Sequence, residues 1–337
     1  GKHKRISFPS RSLEQRATMP LQVVHMDIFG PVDTESLIAK SRYGIVFIDE
    51  YTQFRSIRFM SYKSQTLAMF MDYVAEMNTL LRGRYKVRGV HSDNGGEFIS
   101  RAFMRYCKRN GILQTYTGPY APEQNGVAER SNRTVTEMAR CMRIRSGLDK
   151  ALWAEACNTA VYILNRVPSR RLNGDTPYKR LMGKHAKVDN LRVFGCLVYV
   201  HTQVRSKLDD KAWKGIMVGY DDHNTRCYRI FDPIRRVVVR SIHVTFNENI
   251  FPAKVMNAPV SDGDVEVGMP DHDGAAEPVA ANKRVEPPME QKNNAPLRLL
   301  QRGSNLLMRY EQQESRDETP ANVQDGNEKL ANGREEP

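Results

Sequence analysis

Two hydrophobic periods divide the N-terminal half of the chain into strands and helices. Residues 21–28 and 87–91 are short apolar runs. Tyr43–Asp49 is apolar almost throughout, as a strand covered on both faces would be. Arg55–Met60 alternates and reads as a more exposed strand, and residues 112–116 give a fifth. Between them, Leu67, Phe70, Val74, Met77 and Leu81 recur at steps of three and four, predicting a helix capped by Ser64 and stopped by Gly83. A second helix is expected over 100–108, ending at Asn110-Gly111. A third starts near Gln124 and runs to about residue 145. A fourth covers 148–167, with Leu152, Ala156, Ala160 and Ile163 on one stripe, and Pro168 breaks it.

The period then changes. Residues 173–187 read as a turn plus a short helix. Short strands at 193–201, 214–220, 226–232 and 236–246 predict a small β-barrel over 190–250. After about Pro252 the periodicity disappears into Pro, Ala, Asn, Gln and acidic residues, so 251–337 is expected to be a disordered acidic tail.

Charge sharpens this division. The 337 residues carry 51 Lys and Arg against 39 Asp and Glu, net +12. Residues 251–337 hold 10 basic and 16 acidic side chains, so the preceding 250 hold 41 and 23, net +18. A region that basic favours a polyanion, because each phosphate it neutralises releases condensed counterions. The five cysteines are scattered, and the eight histidines show no metal-ligand spacing. Buried thiols are therefore expected, not a disulfide framework or a zinc cluster. No apolar run reaches the roughly 18 residues of a membrane span, which argues against a membrane partner.

The chemistry concentrates in the stretch HSDNGGEFISRAFMRYCKRNGILQTYTGPYAPEQNGVAERSNR, residues 91–133. Asp93 ends an apolar run and enters the turn Asn94-Gly95-Gly96. Glu129 follows after 35 intervening residues, on the third helix. On a helical wheel Asn125, Glu129, Asn132, Arg133 and Thr136 oppose the apolar line Val127, Val135, Met138 and Met142. The first apolar run carries a third acid, Asp27. Gathered together, three such acids would hold hard cations through oxygen ligands and run an in-line phosphoryl displacement. Singly, Asp93 also suits a turn and Glu129 a solvated helix face paired with Arg133. The 117–123 loop reads equally as a mobile closure or a rigid turn. Trp153 lies amid apolar helix positions and reads as a packing residue.

HSDNGGEF followed by PYAPEQNGVAERSNRT resembles the catalytic core of copia-type retrotransposon integrases, whose Asp, Asp, 35-residue spacer, Glu signature is matched in register. The likeness runs from about residue 1 to 249 and includes VVHMDIFGPV, YGIVFIDEYTQF, ALWAEACNTAVYILNRVPS and KLDDKAWKGIMVGY. It implies an α/β fold: a ribonuclease H-like core of five mixed strands flanked by helices over 19–185, with the first strand central and paired to the fourth. Residues 1–18 would be a linker after a zinc-binding domain, and a small β-barrel and the tail would follow the core. It further implies that Asp27, Asp93 and Glu129 are the catalytic, metal-holding acids for two Mg²⁺ ions, with Mn²⁺ as substitute. Asn94, Gln124, Asn125, Arg130, Asn132 and Arg133 would support the acids or position DNA. The partners implied are double-stranded DNA, both element cDNA ends and host target, further copies of the chain, and reverse transcriptase from the same polyprotein. The implied place of action is the nucleus, after a cytoplasmic particle stage. The competing readings are a ribonuclease H-like nuclease and an inactive or domesticated DNA-binding remnant.

Overall fold

The computed structural model describes residues 16–117, 126–201, 211–221 and 224–256, all within one compact unit, Gly1–Val260. Most of the N-terminal linker, the proline-bearing loop after Thr117 and nearly all of the acidic tail lie outside the described residues.

The first sheet comprises β1 (Val24–Phe29), β2 (Tyr43–Asp49), β3 (Arg55–Met60), β4 (Gly89–Ser92) and β5 (Leu113–Tyr116), in the order β3-β2-β1-β4-β5. β1–β2 and β2–β3 are antiparallel; β1–β4 and β4–β5 are parallel. This is a ribonuclease H-like sheet, with the first strand central and paired to the fourth. Its two faces follow the period of two along β2. Ile45 and Phe47 pack with Met26, Phe70, Tyr73 and Phe103 beneath α1 (Thr66–Leu80) and α2 (Arg101–Arg109). Val46 and Ile48 pack on the opposite side beneath α3 (Gly126–Ser146) and α4 (Trp153–Leu164).

Two caps illustrate how local chemistry sets the ends. Ser100 caps α2 by accepting a hydrogen bond from Phe103 N–H at 3.3 Å. Ser64 does not cap α1. It lies inside a short 3-10 turn, Lys63–Gln65, and the Gln65 side chain accepts from Ser61 and Tyr62 N–H instead. No side chain caps the N-terminus of α1.

After α5 (Pro177–Met182), a second sheet follows in the order β10-β6-β7-β8-β9. Its strands are β6 (Leu197–His201), β7 (Ala212–Tyr220), β8 (Tyr228–Asp232), β9 (Val237–Ser241) and β10 (Val244–Asn247), with every pairing antiparallel. The last expected strand, 236–246, is therefore two. The chain breaks after Ser241 so that β10 can leave β8 and β9 and pair with β6 at the other edge. A short helix, α6 (Pro252–Met256), lies past residue 250, where the tail was expected to begin, and its Ala253 is buried.

The two sheets share a core. Ile216, Val218 and Phe231 of the second pack with Trp153, Ala156 and Ala160 of α4, which also face Val46 and Ile48 of the first. Gly195 permits the close approach. It has φ +84°, and a Cβ there would run into Ser146 at the end of α3.

Candidate active site

Parallel pairing of β1 with β4 sets Val24 beside Val90 and His25 beside His91, so Asp27 and Asp93 leave their strands at the same level. Asp27 lies opposite Val46 of β2, on the face covered by α3. Its Oδ1 accepts from Ile28 N–H at 2.9 Å and its Oδ2 from the Asn132 side-chain amide at 2.8 Å. Asp93 is exposed, and its Oδ1 accepts from Gly95 N–H at 3.0 Å, closing the turn. Glu129 stands exposed in the first turn of α3.

The three carboxylates lie within one another's field. Burial pushes the Asp27 carboxyl up from its ordinary 3.8 to about 6, and the charges of Asp93 and Glu129 raise it further than burial alone would; the bonds from Ile28 and Asn132 oppose the rise. They do not close into a ready-made cage. Among the described residues, no group of three or more His, Cys, Asp and Glu side chains is arranged to hold a metal ion.

Asn132 shares the polar face of the helical wheel with Glu129, and it is buried. The reason is its bond to Asp27, which turns one edge of the polar face into the helix–sheet contact. The covered side of α3 is lined by Ala128, Ser131, Asn132, Val135 and Ala139, while Val127, Met138 and Met142 are only partly buried. Small residues let the helix lie close to β1. The Asn132 Oδ1 is buried and has no hydrogen-bond partner. Changing Asn132→Ala removes a donor to the carboxylate, so the Asp27 carboxyl should rise above its present value. A carbon-13 titration of the Asp side chains reads this directly, and an unmoved Asp27 would refute the role given to Asn132.

The other expected residues are spread more widely. Asn94 donates to the Thr117 carbonyl at 2.8 Å and so ties the exit of β4 to the end of β5. Arg130 and Arg133 are exposed on α3. Gln124 and Asn125 lie outside the described residues. Trp153 packs edge-on to Phe29 and Phe59 and donates to the Thr34 carbonyl at 2.9 Å, as a core residue. Arg166 lies over the Tyr162 ring at 3.2 Å.

Sequence reasoning missed a fourth acid. Glu97 turns back beside Asp93: a Cβ on Gly95 would stand 3.0 Å from both the Asp93 Oδ1 and the Glu97 carboxyl carbon. Lys63 binds Glu97 at 3.0 Å, and Glu97 first and Asp93 less strongly hold its ammonium above the ordinary value. The signal was present, since Glu97 follows Asp93 by four residues in a stretch that turns, Phe98 N–H reaching back to the Gly95 carbonyl at 2.9 Å.

Residues 17–122 match the integrase core domain, and residues 196–259 match the retroviral polymerase SH3-like domain. The chain carries an integrase core followed by an SH3-like domain. Its relatives are Pol polyproteins of copia-type transposons. It is 38% identical over 253 residues to the retrovirus-related Pol polyprotein from transposon TNT 1-94 of Nicotiana tabacum, covering 74% of this chain and 18% of the relative. It is 30% identical over 256 residues to that from transposon RE1 of Arabidopsis thaliana, covering 74% and 17%. The chain thus spans about a fifth of the length of these relatives. Among solved structures it is similar to the HTLV-2 integrase catalytic core domain in complex with magnesium, at 19% identity and TM-score 0.38, covering 49% of this chain and 99% of that one. It is also similar to a chain of the simian T-cell lymphotropic virus intasome, at 15% identity and TM-score 0.41, covering 67% and 77%. The integrase core match ends before Glu129, so the helix bearing the third acid is placed by the fold and the sequence spacing alone.

Proposed function

We propose that this integrase core joins the 3′-hydroxyl ends of double-stranded element cDNA to phosphodiesters of host DNA, with Asp27, Asp93 and Glu129 as the acids that hold divalent cations. The observation that carries this reading is the raised Asp27 carboxyl at the meeting of β1, β4 and α3, in the field of both other acids. An all-oxygen, negatively charged donor set fits Mg²⁺, with Mn²⁺ as substitute, and disfavours softer metals. The orphaned Asn132 Oδ1 beside it fits a donor supplied by an ion's hydration shell. When bound, two such ions would acidify the attacking hydroxyl and stabilise the leaving oxygen.

The protein's own groups do the rest. Asn132 fixes the direction of the Asp27 carboxylate, and the Asx turn at Asp93 fixes that of its neighbour. The basic surface of residues 1–250, Arg130 and Arg133 included, holds phosphates without reading bases, so target preference is low. Integration needs two cDNA ends held together, so the working unit contains at least two catalytic chains. Reverse transcriptase from the same polyprotein makes the cDNA, and the joining takes place in the nucleus.

The test is a labelled DNA end incubated with supercoiled plasmid, Mg²⁺ and purified protein. Joined products that disappear with Asp93→Asn support the proposal. Cleavage without joining would instead point to a nuclease, and DNA binding without either would point to a non-catalytic remnant.

A further inference from the structure

The turn between β2 and β3 gathers Arg55 and Arg171, which the proposed chemistry does not use. Val24 pairs with Asp49 and Asp27 with Val46, so this turn begins three residues along the sheet from Asp27, about 10 Å at about 3.3 Å per residue. Gln53, buried and with φ +59°, is its anchor. The Gln53 backbone carbonyl accepts from Arg55 Nη1 at 3.0 Å, and its side-chain Oε1 accepts from Arg171 Nη1 at 3.1 Å. One residue therefore holds two guanidinium groups. Arg55 Nε also donates to the Ser131 hydroxyl on α3 at 2.9 Å. The next residue back, Arg130, folds over the start of that helix: its Nη1 lies 2.8 Å from where a Cβ on Gly126 would stand.

Glu50 offsets part of the charge on Arg171 through its field. Among the described ion pairs, none involves Arg55, Arg130 or Arg171. Glu50, on the same turn, is engaged with His25 at 3.3 Å. Burial, then the neighbouring arginines, hold the guanidinium groups of Arg55 and Arg171 below their ordinary value, yet an arginine stays charged in a protein. A cation folded over the N-terminus of a 21-residue helix also opposes the helix dipole. Arg130 and Arg171 are exposed, so neither is placed there by packing.

We infer that Arg171, held by Gln53, and its neighbour Arg130 form a binding site for a phosphodiester of the DNA backbone, separate from the carboxylate centre. Arg130 acts on Arg171 through its field, so the two guanidinium groups are neighbours, and each presents forked donors to phosphate oxygens. The inference rests on the reading that this chain binds DNA. It adds a contact outside the carboxylate centre that would set the path of the strand across α3.

The experiment measures binding of the full chain to a short labelled DNA duplex from about 50 to 200 mM salt, without divalent cations. Each lost phosphate contact lowers the slope of log affinity against log salt by about 0.9. Arg130→Ala and Arg171→Ala should each lower it by about that amount, and Arg171→Gln likewise. Arg109→Ala, an exposed arginine at the end of α2, should leave it unchanged. An unchanged slope in the Arg130 and Arg171 variants, or an equal fall in Arg109→Ala, overturns the site while leaving DNA joining intact. Wild-type protein that binds no DNA overturns both.

Discussion

Asp27→Asn should make the metal-free protein more stable at pH 7 while abolishing DNA joining. The folded Asp27 carboxyl holds its proton up to about pH 6, whereas the unfolded one releases it near 3.8. Folding therefore takes up protons between those values, and the contribution of this group to stability falls as pH rises through that window. Above it the protein carries a half-buried charge facing two others. A shift of about two units corresponds to about 3 kcal/mol at most. Asparagine keeps the shape but not the charge, so a gain of about 1–3 kcal/mol at pH 7 is expected, shrinking to nothing below pH 4. Mg²⁺ should stabilise the wild type and leave the variant unmoved. Loss of an oxygen ligand worth several kcal/mol in the transition state would cut joining by about a thousand-fold or more. Thermal melts in EDTA and in Mg²⁺, run from pH 3.5 to 8, separate these outcomes. A variant less stable than wild type at pH 7 would show that the charge cluster carries no strain.

Glu155→Ala should cost about 3 kcal/mol of stability, near the lower end for breaking a buried ion pair. Glu155 on α4 takes both forks of Arg229 on β8, Oε2 from Nε at 2.7 Å and Oε1 from Nη2 at 2.6 Å. The two side chains are 9% and 18% exposed, so neither charge has enough water to tolerate losing its partner. Beside it, the Thr159 hydroxyl donates to the Val218 carbonyl at 3.0 Å, and Gly219 brings β7 close enough that a Cβ would stand 3.0 Å from that hydroxyl. These contacts fasten the SH3-like sheet to α4. Replacing both partners, as in Glu155→Leu with Arg229→Met, should recover most of the loss, because an apolar pair leaves no charge stranded. Urea unfolding gives both numbers. A double variant as unstable as the single one would mean that the pair is needed for its shape and not for mutual neutralisation.

Much of the fold was legible because its signals are local. The near-continuous apolar run of Tyr43–Asp49 became the strand buried on both faces, and Gly83, with Arg82 before it, takes a left-handed conformation just past the end of α1. Ser100 caps where serine should. The errors came where a distant partner outbid a neighbour. The expected strand over 236–246 divided because β10 pairs with the edge of β6; Ser64 is the exception, displaced from the cap position of α1 by its own neighbour Gln65.

The sequence by itself determined the chemistry on offer: three acids in a motif with a 35-residue spacer, a basic first 250 residues, and the periods that build strands before helices. Only the tertiary structure decided what those groups feel. A parallel β1–β4 pairing aligns Asp27 with Asp93, a close helix puts Asn132 on Asp27, a glycine turn brings Glu97 back, and a single glutamine holds Arg55 and Arg171 together. The reason is range. Backbone periodicity acts over a few residues and is written in their order, whereas burial and charge act through space, between groups whose meeting is set by the whole chain.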